Sequence, residues 1–535
     1  MRVLQTVVVA LAAGIAAAQT PNTPELRPGQ QVDLQVLART VRAMPNSAQA
    51  EKLIAESATL QAAGRTGEAR HRLVNAWAML SGRGWDQKEE FVWSLALRPD
   101  RIVADSSLPL TAKLTQIYPA GYKTKAGLKL RATLAESAPD GKVVKELGVF
   151  DVASRDLIDQ PFGFEADVDG LADGQYRLVA ELLEGSASLA RMEQSLHLVA
   201  GIESQRSSVE KRLAHIQGHD SAKASVRYPF DVARMVNTGR RRLGSADFGI
   251  RQDGTQKFDF SQEFHDSAAI LKSLEAGKDP VLRAKGDRER RYWFAEAGEV
   301  MPYRVYTPTK WDGKSKLKML FVLHGNSRDH DFYFDRDDGI LGKLAEQYGW
   351  LVVCPMGYRP NAGYNAGALR TIPGAGTPPA QQGGGGRGGR GGFDPSRQRE
   401  TELSEKDAMN VLDLVQKEYP IDMTHVYLFG HSAGGTGGWY IAAKYPEKFA
   451  GIALSAFGTR ADTYPFDRIK GKALMVIIGT KDAPNTVATA RAMAKALQDK
   501  GYDRYFLEVE GATHETIVKL AEPKVFEFFD KHSRQ

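Results

Sequence analysis

Cysteine is almost absent: Cys354 is the single one in 535 residues. One thiol excludes an intramolecular disulfide, a cysteine-built metal cluster and a paired-thiol redox motif. Stability must therefore come from the core, and 42% hydrophobic residues in a chain of 535 supply one, with room for two to four domains. Cys354 lies in an apolar run between Val353 and Pro355, with no base or positive charge beside it. That setting makes it a small packed hydrophobe rather than a nucleophile. An excess of one charge is also missing. Lys and Arg number 71 against 65 Asp and Glu, interleaved throughout for a net +6, which leaves no basic domain to grip nucleic acid or an anionic membrane. There is no internal repeat, and after residue 18 no apolar run approaches the roughly 20 residues of a membrane-spanning helix.

The one long apolar run is the first. Arg2 precedes a mostly apolar stretch from Val3 to Ala18, which closes in Ala16-Ala17-Ala18 before Gln19. This is the pattern of a cleaved secretory signal over 1-18, and no cysteine follows it to carry a lipid. The expectation is export, to a periplasm or to the medium.

Patterning then divides the chain. Leu34, Val41, Leu53, Ile54, Leu60, Leu73 and Leu80 recur at helical spacing, predicting two or three packed helices in a region over 19-100. Short apolar runs follow, separated by Gly, Asp and Pro turns: Leu108 with Leu110, Leu128 with Leu130, Val143-Val144, Val149-Phe150 and Tyr176 to Ala180. They predict a beta-sandwich of immunoglobulin type over 101-200. Such a module on an exported enzyme can contact a polysaccharide through aromatics, for which Tyr118, Tyr122, Phe150, Phe162 and Phe164 are available. Residues 201-289 read as a helical linker, and 290-535 alternate strands with helices, the pattern of an α/β domain. Within it, 371-392 is a Gly-rich insertion interrupted only by Arg387 and Arg390 between Gly383 and Gly392. Two arginines are too few for an RNA-binding footprint, and the segment reads as a disordered surface loop.

Chemistry concentrates in that last domain. Gly430-His431-Ser432-Ala433-Gly434 follows the apolar run Val426 to Phe429 and precedes small residues able to begin a helix. It reads as a nucleophile elbow, a sharp strand-to-helix turn presenting the Ser432 hydroxyl. A serine needs a histidine to take its proton and a carboxylate to orient the imidazole. The strand Ala473 to Ile478 ends in Gly479-Thr480-Lys481-Asp482, and the strand Tyr505 to Val509 ends in Gly511-Ala512-Thr513-His514. Asp482 and His514 thus fall beyond the carboxyl ends of successive strands, where catalytic groups gather in open parallel sheets. Asp462 and Asp467, after the strand Ile452 to Ser455, are the rival acids but lie farther into a loop. His532 is a poor rival to His514 because it stands three residues from the C-terminus. The backbone N-H groups of Ala433 and of Asn326, which follows Met319 to Leu323 in His324-Gly325-Asn326, are the candidate oxyanion donors. His324 has no second histidine at ligand spacing except His330 in a charged loop, so no metal is expected there. Ser404 with Asp407 looks like a capping-box helix start.

Together with Pro302-Tyr303-Arg304-Val305-Tyr306, Pro308 and Trp439, these peptides resemble the alpha/beta-hydrolase superfamily, in its secreted esterase and polyhydroxybutyrate-depolymerase-like branch. The resemblance covers a little under half the chain. It implies a serine carboxyl-ester hydrolase working through Ser432, Asp482 and His514 and an acyl-enzyme, without cofactor, on a small-molecule or polymer ester. A serine peptidase on the same fold and a non-catalytic polymer-binding protein are the alternatives. Trp439 and the loop from Tyr358 to Tyr364 are offered as pocket lining, with buried packing on the elbow helix the equal alternative for Trp439.

Overall fold

The computed structural model describes Leu26 and residues 34–45, 48–124, 127–138, 141–152, 156–241, 258–376 and 395–532. The 1-18 signal segment and residues 377–394 of the Gly-rich stretch, with Arg387 and Arg390, lie outside the described residues. The chain divides into two compact units, Met1–Gly201 and Ile202–Gln535.

The first unit opens with helices α1 (Leu34–Ala43), α2 (Ala48–Ala62), α3 (Thr66–Leu80) and α4 (Gln87–Ser94). The last of these starts on Asp86, whose carboxylate accepts the Glu89 N-H at 2.8 Å. It brings Trp93 to 5.0 Å from Trp77, closing a small core with Leu37, Val41, Ile54 and Leu73. It then runs straight into β1 (Leu95–Pro99), so the sheets begin at Leu95 rather than at 101. Seven strands follow: β2 (Val103–Ala104), β3 (Leu110–Gln116), β4 (Leu128–Glu136), β5 (Val143–Val152), β6 (Phe162–Ala166), β7 (Gly174–Glu184) and β8 (Ala187–Leu198). They form sheets ordered β1-β3-β6 and β2-β8-β7-β4-β5 around one core. In the turn into β7 the Tyr176 hydroxyl donates back to the Ala172 carbonyl at 2.9 Å. Not every apolar marker of these strands faces inward. Val143 and Val144, 54% and 41% exposed, open the edge strand β5, and Leu108, 55% exposed, sits in a turn. The aromatics offered for polysaccharide are also placed otherwise: Tyr118 and Phe164 are buried, while Tyr122, Phe150 and Phe162 pack against the sandwich core.

The second unit begins with α5 (Ile202–Ala214), α6 (Asp220–Asn237) and α7 (Phe260–Glu275). Read from the sequence as a linker, this stretch is instead packed on the sheet that follows. The Arg291 guanidinium lies 4.4 Å from the Tyr228 ring of α6 and pairs with Glu263 of α7 at 2.8 Å, while Ser267 donates to the Val226 carbonyl at 2.7 Å. The apolar face of α6 is what the linker reading overlooked: Ala222, Val226, Phe230 and Ala233 recur at helical spacing and are all buried.

The sheet contains β9 (Gly286–Phe294), β10 (Glu299–Thr307), β11 (Leu317–Leu323), β12 (Leu351–Pro355), β13 (Ile421–His431), β14 (Gly451–Ser455), β15 (Ala473–Gly479) and β16 (Arg504–Val509). Their order is β9-β10-β12-β11-β13-β14-β15-β16. From β11 and β12 to β16 the pairing is parallel, and at one side β10 alone is reversed, pairing antiparallel with both β12 and β9. Helices α8 (Phe332–Asp335), α9 (Ile340–Tyr348), α10 (Pro395–Glu418), α11 (Ala433–Lys444) and α12 (Pro484–Asp499) lie in the connections between strands, and α13 (Thr516–Asp530) follows β16. Because helices cover both faces, β12 and β14 are buried at every residue. The capping-box reading fails here. Helix α10 starts at Pro395, and Ser404 and Asp407 lie inside it, where they accept the N-H groups of Tyr364 (3.0 Å) and Tyr358 (2.9 Å).

Candidate active site

Ser432 stands between β13 and α11 with φ 58° and ψ −118°, a backbone conformation that an L-residue adopts only when its surroundings enforce it. The surroundings are backbone. A Cβ at Gly430 would lie 2.3 Å from the Gly434 carbonyl oxygen, and one at Gly434 would lie 2.1 Å from that of Leu323. Glycine at both positions therefore lets α11 press onto the ends of β13 and β11. Ser432 N-H donates to the Ser455 carbonyl at 2.9 Å, and its own carbonyl accepts the Thr436 hydroxyl at 3.1 Å, which ties the turn to β14 and α11.

His514 follows β16, and its ring bridges the two other residues. Nε2 lies 3.0 Å from Ser432 Oγ and Nδ1 lies 2.7 Å from Asp482 Oδ2. With the proton on Nδ1, that nitrogen donates to Asp482 and Nε2 is free to accept the serine hydroxyl. The Asp482 side chain is 3% exposed and also accepts the Ala483 N-H at 2.6 Å, whereas the His514 side chain is 37% exposed, open to a substrate. The loops carrying the two are tied together: Lys481 N-H donates to the Ala512 carbonyl at 2.9 Å, and Gly511 N-H to the Thr480 hydroxyl at 2.8 Å. The rival acids stand elsewhere. Asp462 is exposed and held by Arg460, and Asp467 is exposed. His532 donates to the Phe528 carbonyl at the far end of α13.

The loop after β11 abuts the serine, since a Cβ on Gly325 would lie 3.3 Å from Ser432 Cβ. Exposed Asn326 is the next residue of that loop, while Ala433 is the first residue of α11. Amides at a helix start and on an adjacent loop are suited to a developing negative charge. His324 is buried, with Nδ1 2.8 Å from the Gly325 carbonyl and Nε2 2.7 Å from that of Met356, and burial lowers its pKa. It shapes the loop.

Two contributors escaped the sequence reading. The Tyr364 hydroxyl accepts the His324 N-H at 3.1 Å, and its ring fills space that Cβ atoms on Gly437 and Gly357 would occupy. Tyr364 is thus a buried brace of the oxyanion loop rather than pocket lining, and it holds φ 55° to reach there. Its signal is weak, because a tyrosine in an irregular loop does not announce a left-handed conformation. His431, inside the elbow itself, is buried 4.6 Å ring to ring from His514. Burial, with His514 as the next cause, pushes its pKa down to about 3, so it stays neutral beside the relay. Trp439 is fully buried against Phe457 and Tyr464 and lines no pocket. Cys354 is buried, and burial pushes its thiol pKa well up.

A family model described as a putative esterase matches residues 386–516, the segment that contains Ser432, Asp482 and His514. The match falls within the C-terminal unit. Solved structures similar to this chain include the fluorophosphonate-binding serine hydrolase F of Staphylococcus aureus, at 15% identity and TM-score 0.34, which covers 46% of this chain and 98% of that one. A ferulic acid esterase from Anaeromyces mucronatus shares 16% identity at TM-score 0.34, over 46% of this chain and 90% of its own. An S-formylglutathione hydrolase from Agrobacterium tumefaciens gives 16% identity and TM-score 0.34, over 46% and 97%. Among curated proteins none matches.

Proposed function

We propose that this protein is an exported serine hydrolase that cleaves carboxylic esters by covalent catalysis. The observation that carries the reading is the continuous contact from Ser432 Oγ through the His514 ring to Asp482, at 3.0 Å and 2.7 Å, on a serine held at φ 58°. Ser432 Oγ attacks the ester carbonyl while His514 Nε2 takes its proton. Asp482 keeps Nδ1 protonated and stabilises the imidazolium. The Asn326 and Ala433 amides receive the carbonyl oxygen as it becomes negative. Imidazolium then protonates the departing alcohol, leaving an acyl-serine, and a water activated by the same histidine releases the acid. No step requires a cofactor. Export rests on the signal pattern over 1-18 alone.

The test is Ser432→Ala in the full chain, assayed on short p-nitrophenyl esters and a peptide panel, with labelling by a fluorophosphonate probe. Loss of ester turnover by about 10⁵- to 10⁶-fold together with loss of labelling is expected. Wild-type turnover in the variant would overturn the mechanism, and cleavage of peptides in preference to esters would move the enzyme to the peptidase class.

A further inference from the structure

A second cluster lies below the oxyanion loop and takes no part in the serine chemistry. Glu289 of β9 and the adjacent His330 and Asp331 each turn one ligand-type atom to a common point, all within 4.8 Å of one another. The Nε2 of His330 stands 3.6 Å from Glu289 Oε2 and 3.6 Å from Asp331 Oδ1. His330 is only 3% exposed, yet this nitrogen has no hydrogen-bond partner among the described residues. The other ring nitrogen, Nδ1, lies 3.3 Å from the Met356 sulfur, a contact in which it acts as donor. A proton on Nδ1 leaves the Nε2 lone pair pointing between the two carboxylates.

An imidazolium shared by both acids is the competing account. Burial lowers the His330 pKa, but Asp331 and Glu289 outweigh it and raise it to about 9, so a cation has to displace that proton. The spacing is what speaks against a tight pair. A charged N-H paired with a carboxylate closes to about 2.7–2.9 Å, whereas both distances here are 3.6 Å. Atoms spaced in this way leave a point about 2.1–2.4 Å from each, the bond length of a divalent cation to nitrogen and oxygen.

The local charge points the same way. Arg304 is shared among Asp287, Asp331 and Asp335, and Arg291 between Glu263 and Glu289, so two guanidiniums face five carboxylates. Arg304 does bind Asp331 Oδ1 at 2.7 Å, but a carboxylate oxygen offers more than one lone pair. Likewise Arg291 holds Glu289 through Oε1 and leaves Oε2 for the cluster. The Glu289 side chain, 22% exposed, provides the way in.

We infer that Glu289, His330 and Asp331 form a binding site for a divalent cation of the first transition row, zinc or manganese, that fastens the segment after the oxyanion loop to β9. One imidazole with two carboxylates suits such an ion better than calcium, which takes oxygen ligands.

The experiment uses the full chain, purified without a histidine tag, stripped with a chelator and titrated with Zn²⁺ or Mn²⁺ alone, reading bound metal by elemental analysis and Tm by calorimetry. One equivalent bound and a Tm higher by several degrees are expected. His330→Gln and Glu289→Gln should each weaken binding about 100-fold or more. Comparing the melting curves of the metal-free variants with that of the metal-free wild type separates loss of the site from failure to fold. The proposal is overturned if neither ion binds near one equivalent nor shifts Tm, if His330→Gln binds as tightly as wild type, or if only Ca²⁺ responds.

Discussion

The two sheet systems of this chain bury their residues differently, and the difference decides where chemistry can be built. In the N-terminal sandwich, neighbouring strands pair largely antiparallel, and β5 offers one half-covered face. Its chain reversals fall at both ends of the sandwich. In the C-terminal unit, β11 and β13 to β16 are parallel, so the segments leaving them emerge at a single edge, and Asn326, Ser432, Asp482 and His514 are delivered there from four separate places in the sequence. One architecture distributes its turns, and the other concentrates them.

The largest break in that contrast comes from the relay. Asp482→Asn should keep the fold, because the side chain still accepts the Ala483 N-H, yet present the wrong tautomer to His514 and lower kcat by about 10⁴-fold. Steady-state kinetics beside an unchanged melting curve would check this. Next is the elbow. Gly434→Ala puts a methyl carbon 2.1 Å from a backbone oxygen that cannot rotate away, and it should destabilise the C-terminal unit by about 3 kcal/mol or more in denaturant melts.

A pH effect of intermediate size belongs to the same unit. His431 keeps its proton off down to about pH 3 in the folded state, whereas an unfolded histidine binds one near 6.5. Between those values the unfolded chain holds more protons, so stability falls as pH drops from 6.5 toward 3, on the order of 1 kcal/mol per unit from this group. Urea melts from pH 4 to 7 should show that slope, and His431→Phe should flatten it. The smallest effect sharpens the comparison from the other side. A Cβ on Gly163 in β6 of the sandwich meets nothing within 4 Å, so Gly163→Ala should change stability by less than about 0.5 kcal/mol.

Much of the active edge was legible in sequence because it depends on local signals. A buried strand run, a glycine and then a polar residue is a short pattern, and it located Ser432, Asp482, His514 and the Asn326 loop. What escaped depends on contacts distant in sequence. The interior face of α10 was taken for a helix start because Ser404 and Asp407 are good capping residues, and nothing nearby reveals that they receive amides from the 358–364 loop. The packing of α6 and α7 on β9 was lost for a related reason: charged Glu263 and Arg291 mark the contact, and in sequence they look like solvated surface. The antiparallel start of the sheet likewise follows from partners chosen across the fold, not from composition.

The backbone ties from Lys481 to Ala512 and from Thr480 to Gly511 have a mechanical consequence. Acid and imidazole ride on a single stiff clamp, so thermal motion displaces them together and their mutual distance is conserved. The slack in the relay is then confined to the gap between His514 and Ser432. On the proposed mechanism, that gap is where a proton crosses in both directions during one turnover.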